Sequence, residues 1–137
     1  MEILTSFGNG LLVVLEPHNL MYCFIGVFLG TFIGVLPGIG SMAAIAMILP
    51  ITFYLEPTSA LVMIAGVYYG AEYGGSTASI LMNVPGTPAA SITAIEGYQL
   101  AKKGRAGVAL FSTATASFGG GMIGMVVIAI LSPSLAK

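Results

Sequence analysis

Two long stretches of this sequence contain no charged residue, and they limit the folds that the chain can adopt. No Asp, Glu, Lys or Arg occurs between Glu16 and Glu56 or between Arg105 and Lys137. Each stretch exceeds the roughly 20 residues that an α-helix needs to cross the hydrocarbon core of a bilayer. Only 7% of the 137 residues are charged, far below the roughly one quarter that is usual in soluble domains. We therefore expect an all-α integral membrane protein with several transmembrane helices.

Prolines, glycines and polar residues divide this single membrane domain into five segments, because proline and glycine interrupt helices. They are an interfacial helix (1–16), a broken or re-entrant helical hairpin (20–55), a transmembrane helix (58–82), a polar loop with a short helix (83–105) and a transmembrane helix (106–131). The hairpin either crosses the membrane twice or re-enters at Pro37-Gly38.

Glycines recur at four-residue intervals in the two central apolar segments. They are Gly26, Gly30 and Gly34 in the first, and Gly66, Gly70 and Gly74 in the second. Such spacing places the glycines on one helix face, where they allow another helix backbone to approach closely. We expect both stripes to be helix-packing surfaces.

Several function classes find no support in the residues. The single cysteine, Cys23, allows no internal disulfide, and the lone His18 has no second ligand at helical spacing. No carboxylate dyad or nucleophile with a plausible base is present, so we expect no enzyme activity. Gly38-Ile39-Gly40-Ser41-Met42-Ala43 matches a dinucleotide fingerprint, but it follows an apolar segment rather than a strand. The net charge of −1 indicates no nucleic-acid surface.

Polar residues are concentrated between positions 68 and 88, within an otherwise apolar sequence. This stretch contains three tyrosines, Glu72, several hydroxyl residues, Asn83 and four glycines. Such groups are costly in hydrocarbon unless they face a protein interior or a watery cavity, so the cluster indicates a binding site. The alternative for the tyrosines is an aromatic belt at the membrane surface. Two consecutive glycines, Gly74 and Gly75, predict a kink or an unwound turn.

Two apolar segments end in a Pro-Gly pair, at Pro37-Gly38 and at Pro85-Gly86, each followed by small or hydroxyl residues. Broken helices of this kind are typical of secondary transporters, where helix ends form a site within the membrane. Glycine-rich backbone that opens a helix exposes unpaired N–H groups at the positive end of the helix dipole. Such a helix end favours an anion.

Three motifs carry a resemblance to a known family. They are Gly30-x-x-x-Gly34-Val35-Leu36-Pro37-Gly38-Ile39-Gly40, then Tyr69-Gly70-Ala71-x-Tyr73-Gly74-Gly75-Ser76-x-x-x-Ile80-Leu81-x-Asn83-x-Pro85-Gly86, then Glu96-Gly97-Tyr98-x-x-Ala101-x-x-Gly104. In this order they resemble the large membrane subunit of tripartite tricarboxylate transporters, the TctA-type family. The resemblance covers nearly the whole chain, and it corresponds to the N-terminal part of a longer permease built of two related halves.

The resemblance implies a multi-pass protein of the bacterial inner membrane that imports small carboxylates such as tricarboxylates. It implies two protein partners, a small membrane subunit and a periplasmic substrate-binding protein, in addition to membrane lipid. Import in this family is driven by an ion gradient, so Na⁺ or H⁺ is the expected coupling ion and no covalently bound cofactor is expected. The alternative is a non-transporting or channel-like membrane assembly protein that uses the glycine stripes for oligomerisation.

The broken helix ends and the resemblance together give a set of expected substrate-binding residues. They are Pro37, Gly38, Gly40, Ser41, Tyr69, Tyr73, Gly74, Gly75, Ser76, Asn83, Pro85, Gly86 and Thr87. Glu72 is the coupling candidate, because a carboxylate beside an anion site repels the substrate unless it is protonated or paired with a cation. The alternative is that Glu72 bonds a neighbouring helix and never meets the substrate.

Three of the four basic residues, Lys102, Lys103 and Arg105, fall in one short polar segment, and basic loops are typically cytoplasmic. In a Cys23→Ser background, cysteines introduced at these positions should resist membrane-impermeant thiol reagents added to intact cells. Ready labelling from outside would reverse the predicted orientation.

Overall fold

The computed structural model of the protein describes the backbone of residues 2–135 and the side chains of residues 5 and 7–131. This part of the chain is helical, with turns and short loops between the helices. The helices are α1 (Glu2–Val14), α2 (Pro17–Gly34), α3 (Gly40–Thr52), α4 (Pro57–Met82), α5 (Pro88–Lys102) and α6 (Ala106–Leu135). The predicted all-α fold is confirmed.

The centre of the fold is a parallel pair formed by α2 and α4, in which the two glycine stripes face each other. A Cβ at Gly26, Gly30 or Gly34 would collide with the backbone of Met63, Val67 or Ala71, respectively. In the other direction, a Cβ at Gly66 would lie 2.8 Å from the carbonyl oxygen of Cys23. Both stripes are therefore packing surfaces, as the glycine spacing predicts, and each stripe packs against the other.

The two helices are also aligned at their beginnings by a buried hydrogen-bond chain. The Ser59 hydroxyl donates to Asn19 Oδ1 at 2.7 Å, and Asn19 Nδ2 donates to the carbonyl oxygen of Val13 at 2.8 Å. These bonds connect the end of α1 with the first turns of α2 and α4. Each buried polar group of the pair is satisfied, which removes the penalty for its burial.

α3 follows α2 in the sequence, runs antiparallel to it and covers the α2–α4 pair. Its buried residues Ala44 and Ile48 form the core with Met63, Val67 and Ala71 of α4. Pro50 lies inside α3, two residues before the helix ends at Thr52. With 13 residues, α3 is about 20 Å long at 1.5 Å per residue, which is shorter than a bilayer core of roughly 30 Å.

After α4, the chain turns back and α5 then packs beside the last part of α4. Thr87, the residue before α5, contacts Glu72, whereas a Cβ at Gly97 would lie 2.7 Å from Cγ1 of Ile80. Because the residue numbers on α4 and on α5 increase together from the first contact to the second, α5 runs in the same direction as α4. α6 follows and packs on α5 and α4, with Ala109 as its only buried residue among those whose side chains are described.

Some sequence-based boundaries need correction. The predicted unwinding at Gly74-Gly75 is wrong, because α4 is continuous and both glycines face neighbouring backbone or loop atoms. The last helix does not end at residue 131, the expected limit of its segment, but runs to Leu135. The short helix expected within residues 83–105 begins at Pro88. Among the described residues, two helices, Pro17–Gly34 and the stretch Ala106–Leu131, are long and apolar enough to cross a membrane, and membrane crossing by each segment stays a prediction.

The α2–α4 contact predicts that even one added methyl group destabilises the protein. Gly30→Ala and Gly70→Ala would each place a Cβ against the backbone of the partner helix. We expect each to lower stability by about 1–3 kcal/mol, the usual penalty for overpacking, measured as a lower midpoint of thermal unfolding in detergent. Gly107→Ala is the matched control, since a Cβ there meets nothing within 4 Å. Equal stability of all three variants would show that α2 and α4 are not in backbone contact.

Candidate functional site

The two Pro-Gly turns converge on one side chain, the carboxylate of Glu72. The Ser41 hydroxyl, at the beginning of α3, donates to Glu72 Oε1 at 2.7 Å. The Thr87 hydroxyl, just before α5, donates to Glu72 Oε2 at 3.1 Å. Ser41 and Thr87 are both buried, whereas Glu72 is half-buried. One carboxylate on α4 therefore connects the beginnings of two other helices.

Glycine conformations bring Ser41 to this position. Gly38 and Gly40 have φ angles of +84° and +71°, in the left-handed region that favours glycine because it has no Cβ. They reverse the chain within a few residues after α2 ends at Gly34. The Pro37-Gly38 turn thus places the first turn of α3 beside α4.

Close approach of backbone brings Thr87 to the same position. α4 ends at Asn83, a left-handed residue with φ of +58°, and the chain then runs back along α4. On the way Gly86 passes between α2 and α4, where an added Cβ would lie 3.0 Å from the Gly34 carbonyl oxygen and 3.3 Å from Gly75 Cα. Glycine suits this position because an added Cβ would need the neighbouring backbone to move by a few tenths of an ångström.

Thr87 also caps α5. Its hydroxyl oxygen accepts a hydrogen bond from the Ala90 backbone N–H at 3.3 Å while its proton goes to Glu72. A side-chain oxygen at this position satisfies one of the free N–H groups of the first helical turn. The same hydroxyl thus starts α5 and attaches it to α4.

A cleft of about 570 Å³ opens beside Glu72, between α4, α5 and α6. Tyrosine rings and small or hydroxyl-bearing residues line it: Tyr68, Tyr69, Glu72, Tyr73, Ser76, Ala89, Thr93, Thr113, Ala116, Ser117, Gly120 and Gly121. Glu72 is the one charged residue in this lining, which contains no Lys, Arg or His. The cleft can therefore offer hydroxyl donors and acceptors, aromatic surface and one carboxylate.

The structure brings together part of the predicted substrate-binding set. Tyr69, Tyr73 and Ser76 line the cleft, and Ser41 and Thr87 reach it through Glu72. Gly40 lies near the Gly86 carbonyl, and Gly74, Gly75 and Gly86 hold the backbones together. Pro37, Gly38, Asn83 and Pro85 are exposed, and none of them lines this cleft. Substrate contact by any of these residues stays a prediction.

The residues of α5 and α6 that line the cleft were not predicted from the sequence. Thr93, Thr113 and Ser117 bring hydroxyl groups to it. A signal was present, since Thr113, Ser117 and Gly121 follow each other at four-residue intervals within an apolar helix. Such spacing marks one helix face, but nothing in the sequence states which helix that face meets.

Because of its double role, the Thr87 hydroxyl should contribute to stability as well as to the site. Thr87→Val keeps the shape but removes the hydroxyl, so we expect a loss of about 1–2 kcal/mol from the missing cap and the weakened bond to Glu72. Thr87→Ser retains the hydroxyl and should stay close to wild type. Thermal unfolding of both variants in detergent measures the difference, and a stable Thr87→Val beside a destabilised Thr87→Ser would show that the methyl group, not the hydroxyl, is what matters.

Comparisons with known proteins identify the family of this chain. Residues 20–137 match the model of the tripartite tricarboxylate transporter TctA family. The chain is 51% identical over 137 residues to an uncharacterized 52.8 kDa protein in the TAR-I ttuC' 3' region of Agrobacterium vitis. That match covers all of this chain but 27% of the relative, so the chain spans about a quarter of that protein. No solved structure matches the chain.

The family is one of membrane transporter components and not of enzymes, in line with the prediction that the chain catalyses no reaction. The match extends from the beginning of α2 through both Pro-Gly turns and α6. It thus includes Ser41, Glu72, Thr87 and the whole cleft. The chain belongs to the TctA family of tripartite tricarboxylate transporters.

Proposed function

We propose that this chain forms part of the membrane permease subunit of an ion-gradient-driven, binding-protein-dependent importer of small carboxylates such as tricarboxylates. The observation that carries the proposal is the convergence of two Pro-Gly turns on one face of α4, beside a cleft lined by hydroxyl groups. Broken helices whose ends meet at one point are the usual way in which secondary transporters build a substrate site.

In this proposal the substrate carboxylate is held by groups of the two turns and of the cleft. The hydroxyls of Ser41, Ser76 and Thr87 are the candidate donors; that of Ser76, which donates to the Glu72 backbone carbonyl oxygen at 3.0 Å, would turn to the substrate. The beginnings of α3 and α5 add positive partial charge, since each helix directs its first N–H groups toward the turn. These neutral donors bind an anion without any basic side chain, which agrees with the lining of the cleft.

Glu72 is proposed to couple substrate binding to the ion gradient. A carboxylate next to a bound anion is unfavourable unless a cation neutralises it, and either Na⁺ or H⁺ provides that charge. Glu72 bonds α3 and the α5 cap and also lines the cleft, and its exposure to the cleft is what supports a coupling role over a purely structural one.

The surroundings of the chain are likewise proposed from the family. We place it in the bacterial inner membrane as a multi-pass segment that works with a small membrane subunit and a periplasmic substrate-binding protein. The shortness of α3 argues against a full second crossing by this helix, whereas α2 is long and apolar enough to cross. α1, with exposed Phe7, Leu11 and Leu12, fits an amphipathic helix at the lipid surface.

The glycine contacts bear on the alternative of a non-transporting assembly protein. That function needs glycine stripes on an outer surface, but the stripes of α2 and α4 pack against each other. The geometry therefore favours the transporter.

Uptake of labelled carboxylates into proteoliposomes tests the proposal. The full-length permease that carries this segment is reconstituted with both partner subunits, under a Na⁺ or H⁺ gradient. Ser76→Ala removes a hydroxyl from the cleft wall, and we expect carboxylate affinity to fall about tenfold, as for one lost hydrogen bond to a charged group. Ser112→Ala is the matched control, because Ser112 lies in a separate groove between α5 and α6. No uptake by the wild type, or equal affinity of both variants, would refute the proposed site.

A further inference from the structure

Two of the three hydroxyls proposed to bind the substrate carboxylate already donate hydrogen bonds to a carboxylate in this structure. Ser41 and Thr87 each donate to one oxygen of Glu72, at 2.7 and 3.1 Å. These three residues come from α3, α4 and the α5 cap, and they are separated by 31 and 15 positions in the sequence. Glu72 therefore occupies the place that an external carboxylate would take.

The number of protons that the two hydroxyls can donate excludes simultaneous hydrogen bonds to Glu72 and to a substrate. A serine or threonine hydroxyl has one proton to donate, and the proton of each hydroxyl is directed at Glu72. The Thr87 oxygen also accepts a hydrogen bond from the Ala90 N–H, but this bond uses a lone pair and adds no second proton that could be donated. A substrate carboxylate can accept hydrogen bonds from these two hydroxyls only after their hydrogen bonds to Glu72 have broken.

Charge makes the release dependent on a cation. The side chains packed around Glu72 supply no compensating charge, because the residues from α5 and α6 that line the cleft are Ala, Gly, Ser and Thr. From α3 the contact is Ser41. On α4 itself the other titratable groups at the cleft are Tyr68, Tyr69 and Tyr73. A second anion beside an ionised Glu72 would meet uncompensated repulsion in a low-dielectric site.

We propose that Glu72 is an internal competitor of the substrate, and that a cation binding to its carboxylate frees the Ser41 and Thr87 hydroxyls for the substrate carboxylate. This inference rests on the proposed function and specifies how its coupling works. Protonation turns the carboxylate into a group that can itself donate a hydrogen bond, and a sodium ion uses the same oxygens as ligands. Either cation removes the repulsion and weakens the hold of Glu72 on the two hydroxyls, so that cation and substrate bind together.

The proposal predicts an unusual sign for a mutation in a binding site. In the full-length permease, Glu72→Ala removes the competitor and Glu72→Gln imitates its neutralised form. At low Na⁺ and neutral pH, both variants should bind carboxylate at least about tenfold more tightly than the wild type, because a hydrogen bond to a charged group no longer has to be broken. Their affinity should no longer rise with the cation. Glu96→Gln is the matched control, since Glu96 is exposed and lies in the other groove.

Equilibrium binding of labelled citrate and succinate to the purified permease provides the measurement, in a series of Na⁺ concentrations at fixed pH and in a pH series without Na⁺. The series in which wild-type affinity rises identifies the cation as sodium or as a proton. Weaker binding in both Glu72 variants would overturn the proposal, since Glu72 would then assist the substrate. Retained cation dependence in both variants would also overturn it.

A readout without substrate separates this inference from the proposed function. Infrared difference spectra recorded on addition of Na⁺, or on acidification, should show a carboxylate band that shifts in the wild type and is absent in Glu72→Gln. If that band is missing, the inference fails even where carboxylate binding and uptake are intact. If the band is present but neither citrate nor succinate binds, the cation site stands and the proposed carboxylate site fails.

Discussion

The backbone contact between α2 and α4 is the interaction on which the rest of the structure depends. Within a membrane, burial of apolar side chains gives helices little reason to associate, and close packing of small residues takes its place. The interlocked glycines provide this packing over three successive helical turns. They also fix the relative height of the two helices, so that Glu72 lies just beyond Gly34, where α2 has ended and the chain is free to turn.

The position of Glu72 explains why both turns need glycine and a hydroxyl residue. A carboxylate within an apolar fold is unfavourable unless hydrogen bonds satisfy it, and both hydroxyl bonds come from residues at the beginnings of α3 and α5. Reaching it requires left-handed backbone at Gly38 and Gly40 on one side. On the other side it requires passage of Gly86 between Gly34 and Gly75. The same glycines that allow the turns therefore assemble the site.

Much of this fold follows from the sequence, but the assembly of the site does not. Four-residue glycine spacing predicts two packing faces, and the uncharged stretches predict helices, because both depend on local periodicity. That Ser41 and Thr87 meet depends on the path from Asn83 back along α4, a path that no local pattern encodes. The unwinding expected at Gly74-Gly75 did not occur because glycine pairs serve close packing as readily as bending. Thr113 and Ser117 were missed because the face that α6 turns toward α4 is set by tertiary packing.

Chemical cross-linking within the protein tests most directly whether the two Pro-Gly turns converge at one point. In a Cys23→Ser background, cysteines at positions 41 and 87 replace the two hydroxyl residues that share one carboxylate. A second pair at positions 19 and 59, which are directly hydrogen-bonded at 2.7 Å, serves as a positive control. The account predicts that a short bifunctional thiol reagent links both pairs in native membranes. Linkage of positions 19 and 59 without linkage of positions 41 and 87 would contradict it.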